Sequence, residues 1–126
     1  MIGWKELWNY SVKNYDDNFK IGIKTKKLFA DFYDLLANIP RKDHFLWDKM
    51  NNKTFELLET IYLLNSYEED NIQLRAIIKS NLATIDFLLE ILYRKKYLSM
   101  KQIEKVGYQL KEITRMTAKW KTKAYE

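Results

Sequence analysis

Apolar residues recur at spacings of three and four along four stretches of the chain, the period of one face of an α-helix. The stretches cover about residues 23–37, 42–65, 71–96 and 97–123. Pro40 ends the first, because the residue before a proline is disfavoured in the helical region, and the polar run SYEED follows the second. Since the connections are short, the pattern predicts an all-α fold, an up-down-up-down antiparallel four-helix bundle.

The fourth stretch has the clearest two-sided pattern. Ser99 and Gln102 fit a capping box, which predicts where the helix begins. One side of the helix is apolar and is predicted to pack in the core: Ile103, Val106, Leu110, Ile113, Met116 and Trp120. The opposite side carries Lys101, Lys105, Arg115, Lys119 and Lys123, with Tyr108 among them. This basic side could bind a polyanion, although basic sides of helices are often only solvated.

The third stretch is apolar over more of its circumference than a bundle core requires. Its main apolar side contains Leu74, Ile78, Leu82, Ile85, Leu88, Leu89 and Leu92. Asn81 falls inside this side, so we expect it to be buried and hydrogen-bonded, or placed at a subunit contact. Phe87 and Ile91 form a second strip with Ile77 at its edge. We therefore predict an oligomer interface at Ile77, Asn81, Phe87 and Ile91, the alternative being a broadly buried core helix.

The first twenty residues differ from the rest. Trp4, Trp8 and Val12 are spaced four apart, and polar residues 16–18 then interrupt the pattern. We expect residues 1–20 to form an N-terminal arm that docks on the body of the chain or on a neighbour. The bundle would then comprise residues 21–126.

Composition agrees with one intracellular helical domain. The chain has 126 residues, of which 47% are hydrophobic and 15% aromatic, so disorder is not expected. Three glycines and one proline are too few for a turn-rich β-sandwich, and with no cysteine no disulfide framework is possible. No signal peptide or apolar run long enough to cross a bilayer is present, so we expect a cytoplasmic protein without membrane association.

Positive charge is concentrated at the C-terminal end. Residues 94–126 contain ten Lys and Arg against three Asp and Glu, a net charge of +7, whereas residues 1–93 carry −2. In an antiparallel bundle the loop between the first two helices lies near the turn between the last two. This predicts a basic rim composed of Arg41, Lys42, Arg94, Lys95 and Lys96. The rim and the basic side of the fourth helix together form the predicted RNA-binding surface. The alternative is that these charges only stabilise helix ends and increase solubility.

Catalytic motifs are missing. His44 is the single histidine, too few ligands for a zinc site, and neither a phosphate-binding glycine loop nor the Glu-x-x-His pair of di-iron bundles occurs. The acidic residues Glu68, Glu69 and Asp70 fit a solvated loop better than a metal site. We expect no enzyme, no metal, no cofactor and no small-molecule substrate. An enzyme acting through His44 is the alternative to be tested.

Several strings, in their order and spacing, resemble the accessory variability determinant (Avd) family of diversity-generating retroelements. These are IPRK at residues 39–42, the helix end at 61–66, the LSMKQ opening at 98–102 and EITRMTAKW at 112–120. The resemblance covers residues 23–123. A related family of four-helix proteins, encoded in ribosomal RNA intervening sequences, shares the architecture.

The resemblance implies an accessory protein that performs no catalysis. Members of the Avd family form a pentameric ring of four-helix bundles and bind the reverse transcriptase of the retroelement and its template RNA. That association supports mutagenic, adenine-directed cDNA synthesis, whose chemistry belongs to the transcriptase. The expected partners are therefore a reverse transcriptase, template RNA and four further copies of this chain. The alternative function is a four-helix interaction scaffold whose basic side docks an acidic protein.

Overall fold

The computed structural model describes residues 19–121, and the secondary structure that it assigns in this range is entirely helical. Four α-helices follow one another: α1 (Lys20–Leu35), α2 (His44–Ser66), α3 (Ile72–Arg94) and α4 (Met100–Lys119). Two single turns of 3₁₀ helix, Leu36–Asn38 and Arg41–Asp43, connect α1 to α2. The four predicted helices are confirmed, with ends that differ from the sequence pattern by a few residues.

The helices are antiparallel, and each packs against its two neighbours in the chain order, with α4 closing on α1. Phe29 of α1 contacts Phe55 of α2, with 5.6 Å between ring centroids. Lys24, near the start of α1, pairs with Glu112 in the second half of α4. The predicted up-down-up-down bundle is therefore confirmed over the described residues. None of these helices is both long and apolar enough to cross a membrane.

The core lies between the four helices and uses the predicted apolar sides. The buried hydrophobic residues of α2 and α3 include Met50, Leu57, Ile61, Leu64, Ile78, Leu82, Ile85, Leu89 and Leu92. Removing such a side chain from water stabilises the fold by about 1.5–3 kcal/mol. Three buried threonines, Thr25, Thr54 and Thr60, each donate a hydrogen bond to the carbonyl four residues earlier, so their hydroxyls are satisfied.

Two predicted features of α4 are confirmed. Ser99 accepts a hydrogen bond from the backbone of Gln102, whose side chain accepts one from the Ser99 backbone, as a capping box requires. Val106, Leu110 and Ile113 are buried, while Ile103, Met116 and Trp120 pack against the core from its edge. The helix ends at Lys119, because Trp120, its C-cap, has an extended backbone. The predicted continuation to Lys123 is therefore wrong at Trp120 and Lys121, and beyond them it lies outside the described residues. Of the predicted arm, residues 1–20, Phe19 is buried in the core and Lys20 begins α1, while residues 1–18 lie outside the described residues.

Lys96 has a backbone φ of 62°, in the left-handed region that usually holds glycine. It follows the last residues of α3, where its amide donates to the carbonyl of Tyr93 and the next amide, that of Tyr97, donates to the carbonyl of Leu92. These two bonds form a Schellman motif, which satisfies carbonyls that the helix leaves unpaired at its C-terminus. A lysine at this position has an unfavourable backbone conformation that the motif imposes.

We predict that Lys96→Gly raises the free energy of unfolding by about 1 kcal/mol, because glycine adopts a left-handed conformation without a Cβ clash. Chemical denaturation of the purified variants measures this change. The matched control is Lys79→Gly in the middle of α3, which should lower stability by about 1 kcal/mol. Equal losses in the two variants would contradict the proposed strain at Lys96.

Candidate nucleic-acid interface

The basic side of α4 is exposed along the described helix. Burial of Val106, Leu110 and Ile113 against the other helices turns the opposite side outward. Four of the predicted cations, Lys101, Lys105, Arg115 and Lys119, are exposed there, and the fifth, Lys123, lies outside the described residues. Tyr108 lies among them with 70% of its surface accessible. We call Lys101, Lys105, Tyr108, Arg115 and Lys119 the basic face.

A second row of lysines on α1 lies beside the basic face. Lys24 and Lys27 line a shallow groove of about 390 Å³ together with Lys105 and Tyr108. These two α1 lysines are not part of the surface that the sequence pattern predicts. Their spacing, together with Lys20, already placed them on one side of a helix. The sequence pattern did not show which other helix would lie beside that side of α1.

Acidic side chains neutralise part of this surface and attach α1 to α4. The ammonium of Lys24 lies 2.6 Å from a carboxylate oxygen of Glu112, and this hydrogen bond lowers the pKa of Glu112. Lys105 lies 4.0 Å from Asp31, which also accepts a hydrogen bond of 2.9 Å from Gln109. Such exposed pairs contribute little net stability, but they fix the positions of two cations.

Four cations of this surface have no ion-pair or hydrogen-bond partner within residues 19–121: Lys27, Lys101, Arg115 and Lys119. All four are exposed. Because none of them is held in an ion pair, they are the groups on this surface best able to bind phosphate. Arg115 is partly offset, since after Lys24 it also lowers the pKa of Glu112. Lys24 and Lys105 can bind a phosphate only by sharing or leaving their carboxylates.

The predicted rim is assembled at one end of the bundle, with an acid at its centre. Lys95 lies 3.2 Å from a carboxylate oxygen of Asp43, and the hydroxyl of Tyr97 donates a hydrogen bond to the same oxygen. These contacts hold the turn containing Arg41 and Lys42 against the turn that follows α3. The sequence pattern predicted this proximity but not the central role of Asp43.

Asp43 and Glu90 reduce the number of rim cations available to a ligand. Arg94 pairs with Glu90 at 2.7 Å, and Lys95 pairs with Asp43. The other three rim cations, Arg41, Lys42 and Lys96, are exposed and have no ion-pair partner among the described residues. The rim therefore offers three unpaired positive charges next to the start of α4, where the basic face begins with Lys101.

His44, the one candidate for catalysis, takes part in ordinary surface contacts. Its ring stacks on Trp47 with 5.5 Å between centroids and 7° between planes, and its Nε2 lies 3.4 Å from Asp48. Within residues 19–121 no group of three or more His, Cys, Asp or Glu side chains is arranged to hold a metal ion.

The predicted oligomer strip on α3 is partly exposed. Phe87 has 59% and Ile77 39% of its surface accessible, whereas Ile91 packs against the core. Asn81 is buried, with 2% accessible, and its side-chain nitrogen has no hydrogen-bond partner among the described residues. An amide group that stays unpaired after burial costs about 1–3 kcal/mol, so Asn81 would gain from an added acceptor.

A family model described as bAvd-like matches residues 20–124 of the chain. The match covers the whole described bundle and begins at the first residue of α1. Neither the search of curated proteins nor the search of solved structures found a match.

We predict that Asp43→Asn lowers the thermal unfolding temperature at pH 7 and that this difference disappears in acid. The hydrogen bond from Tyr97 and then the interaction with Lys95 lower the pKa of Asp43 below its ordinary 3.8. A depressed pKa in the folded state stabilises the fold above the ordinary value, and this contribution is lost as pH falls through the folded pKa. Thermal melts of both proteins from pH 7 down to pH 2 test this (roughly the range that spans the titration of a carboxyl group).

The control is Asp34→Asn, on an exposed aspartate without an ion pair among the described residues, which should change the melting temperature little at either pH. A loss of stability in Asp43→Asn that stays constant across the pH range would show that the carboxylate charge is not responsible.

Proposed function

The chain belongs to the bAvd-like family, whose model matches residues 20–124, and from this premise we propose that it is the accessory protein of a diversity-generating retroelement. In this proposal it binds the reverse transcriptase and the template RNA of that element in the cytoplasm. It supports mutagenic, adenine-directed cDNA synthesis while the transcriptase performs the chemistry. The observation that carries the RNA part is the exposed row of unpaired cations along α4 and α1.

The basic face suits the sugar-phosphate backbone of RNA. Lys101, Arg115 and Lys119 follow one side of α4, and Lys27 adds a charge from α1. Phosphates that bind such cations release condensed counterions, so this kind of binding weakens steeply as salt increases. Tyr108 adds an exposed aromatic ring within the same face, on which an unpaired base can stack. The combination favours a single-stranded or looped part of the template.

The proposal includes assembly into a homopentamer through α3. The exposed Phe87 and Ile77 provide apolar surface for the contact, and the unpaired side-chain nitrogen of Asn81 lies in the same helix. A ring would bring five basic faces together and multiply the attraction for RNA. The rim residues Arg41, Lys42 and Lys96, with Arg94 and Lys95, remain candidates for contact with RNA or with the transcriptase.

We predict that reversing two charges, Arg115→Glu with Lys119→Glu, weakens binding of template RNA at least tenfold at low salt. Two lost phosphate contacts should also make the plot of log affinity against log salt shallower by about two units. Fluorescence anisotropy with labelled template RNA at several salt concentrations measures both quantities. The wild-type protein should bind at low salt and release the RNA as salt rises.

The matched control is Lys49→Glu with Lys79→Glu, which changes the net charge equally on exposed positions of α2 and α3. Equal weakening in both double variants would mean that only the net charge matters and the basic face does not. Absence of wild-type binding at low salt would refute the RNA part. An RNA affinity that hardly changes would favour the scaffold alternative, in which this face docks an acidic protein.

We predict that Phe87→Asp converts the assembly into monomers, because a charged group at the centre of an apolar contact cannot be buried without a partner. Sedimentation velocity of both proteins measures the change in mass. Ile72→Asp is the control, since Ile72 is also an exposed apolar residue of α3 but lies outside the predicted strip. A wild-type protein that sediments as a monomer would refute the ring and leave the RNA-binding proposal standing.

A further inference from the structure

An open groove runs between α3 and α4 on the outside of the bundle. Two depressions, of about 310 and 560 Å³, form it and share Lys79, Leu82 and Thr114 in their walls. Small residues keep the groove wide: Ala83 on α3, and Gly107 and Ala118 on α4. A methyl group added at Gly107 would meet no atom within 4 Å. The two helices therefore leave room for further side chains between them.

One end of this groove lies next to the start of α1. Trp120 lines the groove there, and Arg75 donates a hydrogen bond of 2.7 Å to its carbonyl. The centroid of the Trp120 ring also lies 5.4 Å from that of Phe19, the first described residue. The polypeptide that precedes Phe19 therefore begins beside the mouth of the groove.

That polypeptide has the composition and the length needed to occupy the groove. Residues 1–18 precede the family match and contain Trp4, Trp8, Val12 and Tyr15 at spacings of four and three. As a helix, residues 4–15 would be about 17 Å long. The α4 side of the groove, from Gly107 to Trp120, is about 20 Å long by the same rise per residue.

Charge favours the same placement. Residues 16–18 are Asp, Asp and Asn, and as an extended connection they reach about 10 Å, enough to pass Trp120. Three basic residues line the groove, Arg75, Lys79 and Lys111, whereas Asp86 is its acidic one. At the Trp120 end Arg75 already pairs with Asp70, so the cation that the two aspartates would meet is Lys79, which has no ion pair among the described residues.

We propose that residues 1–18 bind in the α3–α4 groove of their own chain, with the Trp4 and Trp8 side chains filling the space over Gly107 and Ala83. This inference does not rest on the proposed function, because the groove opens on the α3 side of α4, whereas the groove lined by Lys24, Lys27 and Tyr108 is on the α1 side. It assigns the groove to the arm and leaves the basic face open to a ligand.

A single thiol in the groove tests the proposal in the full-length protein. The chain has no cysteine, so Ala83→Cys supplies a unique thiol whose rate of reaction with a maleimide reports access to the groove. With the native arm we expect slow labelling. Adding Trp4→Ser and Trp8→Ser should increase the labelling rate at least fivefold. Asn52→Cys, on an exposed position of α2, is the matched control. It should be labelled at the same rate with the native arm and with the arm that carries both Trp→Ser changes.

Blocking the groove gives the reciprocal result. Gly107→Phe should expose the amides of residues 4–15 to hydrogen exchange, with at least a tenfold loss of protection, while α2 keeps its protection. The open space at Gly107 allows this change without a clash inside the bundle. Glu59→Phe on the exposed side of α2 is the control and should leave the exchange of residues 4–15 unchanged.

Three results would overturn the inference. The first is fast labelling of Ala83→Cys with the native arm, and the second is protection of residues 4–15 that survives Gly107→Phe. The third is slow labelling in a mixing experiment that identifies which chain supplies the arm.

In that experiment the Ala83→Cys chain with both Trp→Ser changes is refolded with an excess of cysteine-free chain that keeps its tryptophans. If each arm binds its own chain, labelling stays fast. Slow labelling would show that the arm of a neighbouring chain fills the groove.

Discussion

Burial of the apolar side of α4 is the interaction on which the functional surface depends. Val106, Leu110 and Ile113 are almost completely removed from water by the other helices. Since a helix is rigid, fixing that side inward fixes Lys101, Arg115 and Lys119 outward, in a row along one edge of the bundle. The capping box at Ser99 fixes where this row begins. The cations are thus arranged by the hydrophobic core and not by attraction to any ligand.

Carboxylates then divide the positive surface into held and available charges. Asp31, Asp43 and Glu112 hold lysines in place across helix boundaries, and each of these contacts joins elements far apart in the sequence. Lys27, Arg41 and Lys119 have no such partner within the described residues. The net charge alone therefore overstates the number of cations that are available to bind phosphate. The Lys24–Glu112 and Lys105–Asp31 pairs join α1 to α4, and the lysines of both helices thus lie beside one groove.

Three local features lower the stability of the bundle, and folding of the bundle does not require them. Lys96 occupies a left-handed conformation, Asn81 is buried with an unpaired side-chain nitrogen, and Gly107 leaves a gap between α3 and α4. Two of the three lie where a further contact is proposed: Asn81 beside the oligomer strip, and Gly107 under the arm. Lys96 keeps a positive charge at the rim. Costs of this kind are expected where an assembly supplies what one bundle lacks.

The sequence by itself determined the helices, their order and which side of each is apolar, because these depend on local periodicity and on caps such as Ser99 and Gln102. It also indicated the basic side of α4 and the family, whose model matches residues 20–124. Only the tertiary structure decided which sides of different helices become neighbours. Lys24 joins Glu112 across 88 positions, and Tyr97 meets Asp43 across 54. Such pairs depend on how each packed helix is rotated about its axis and how deeply it packs. Contacts with all the neighbouring helices set both quantities together, and no local sequence pattern encodes them.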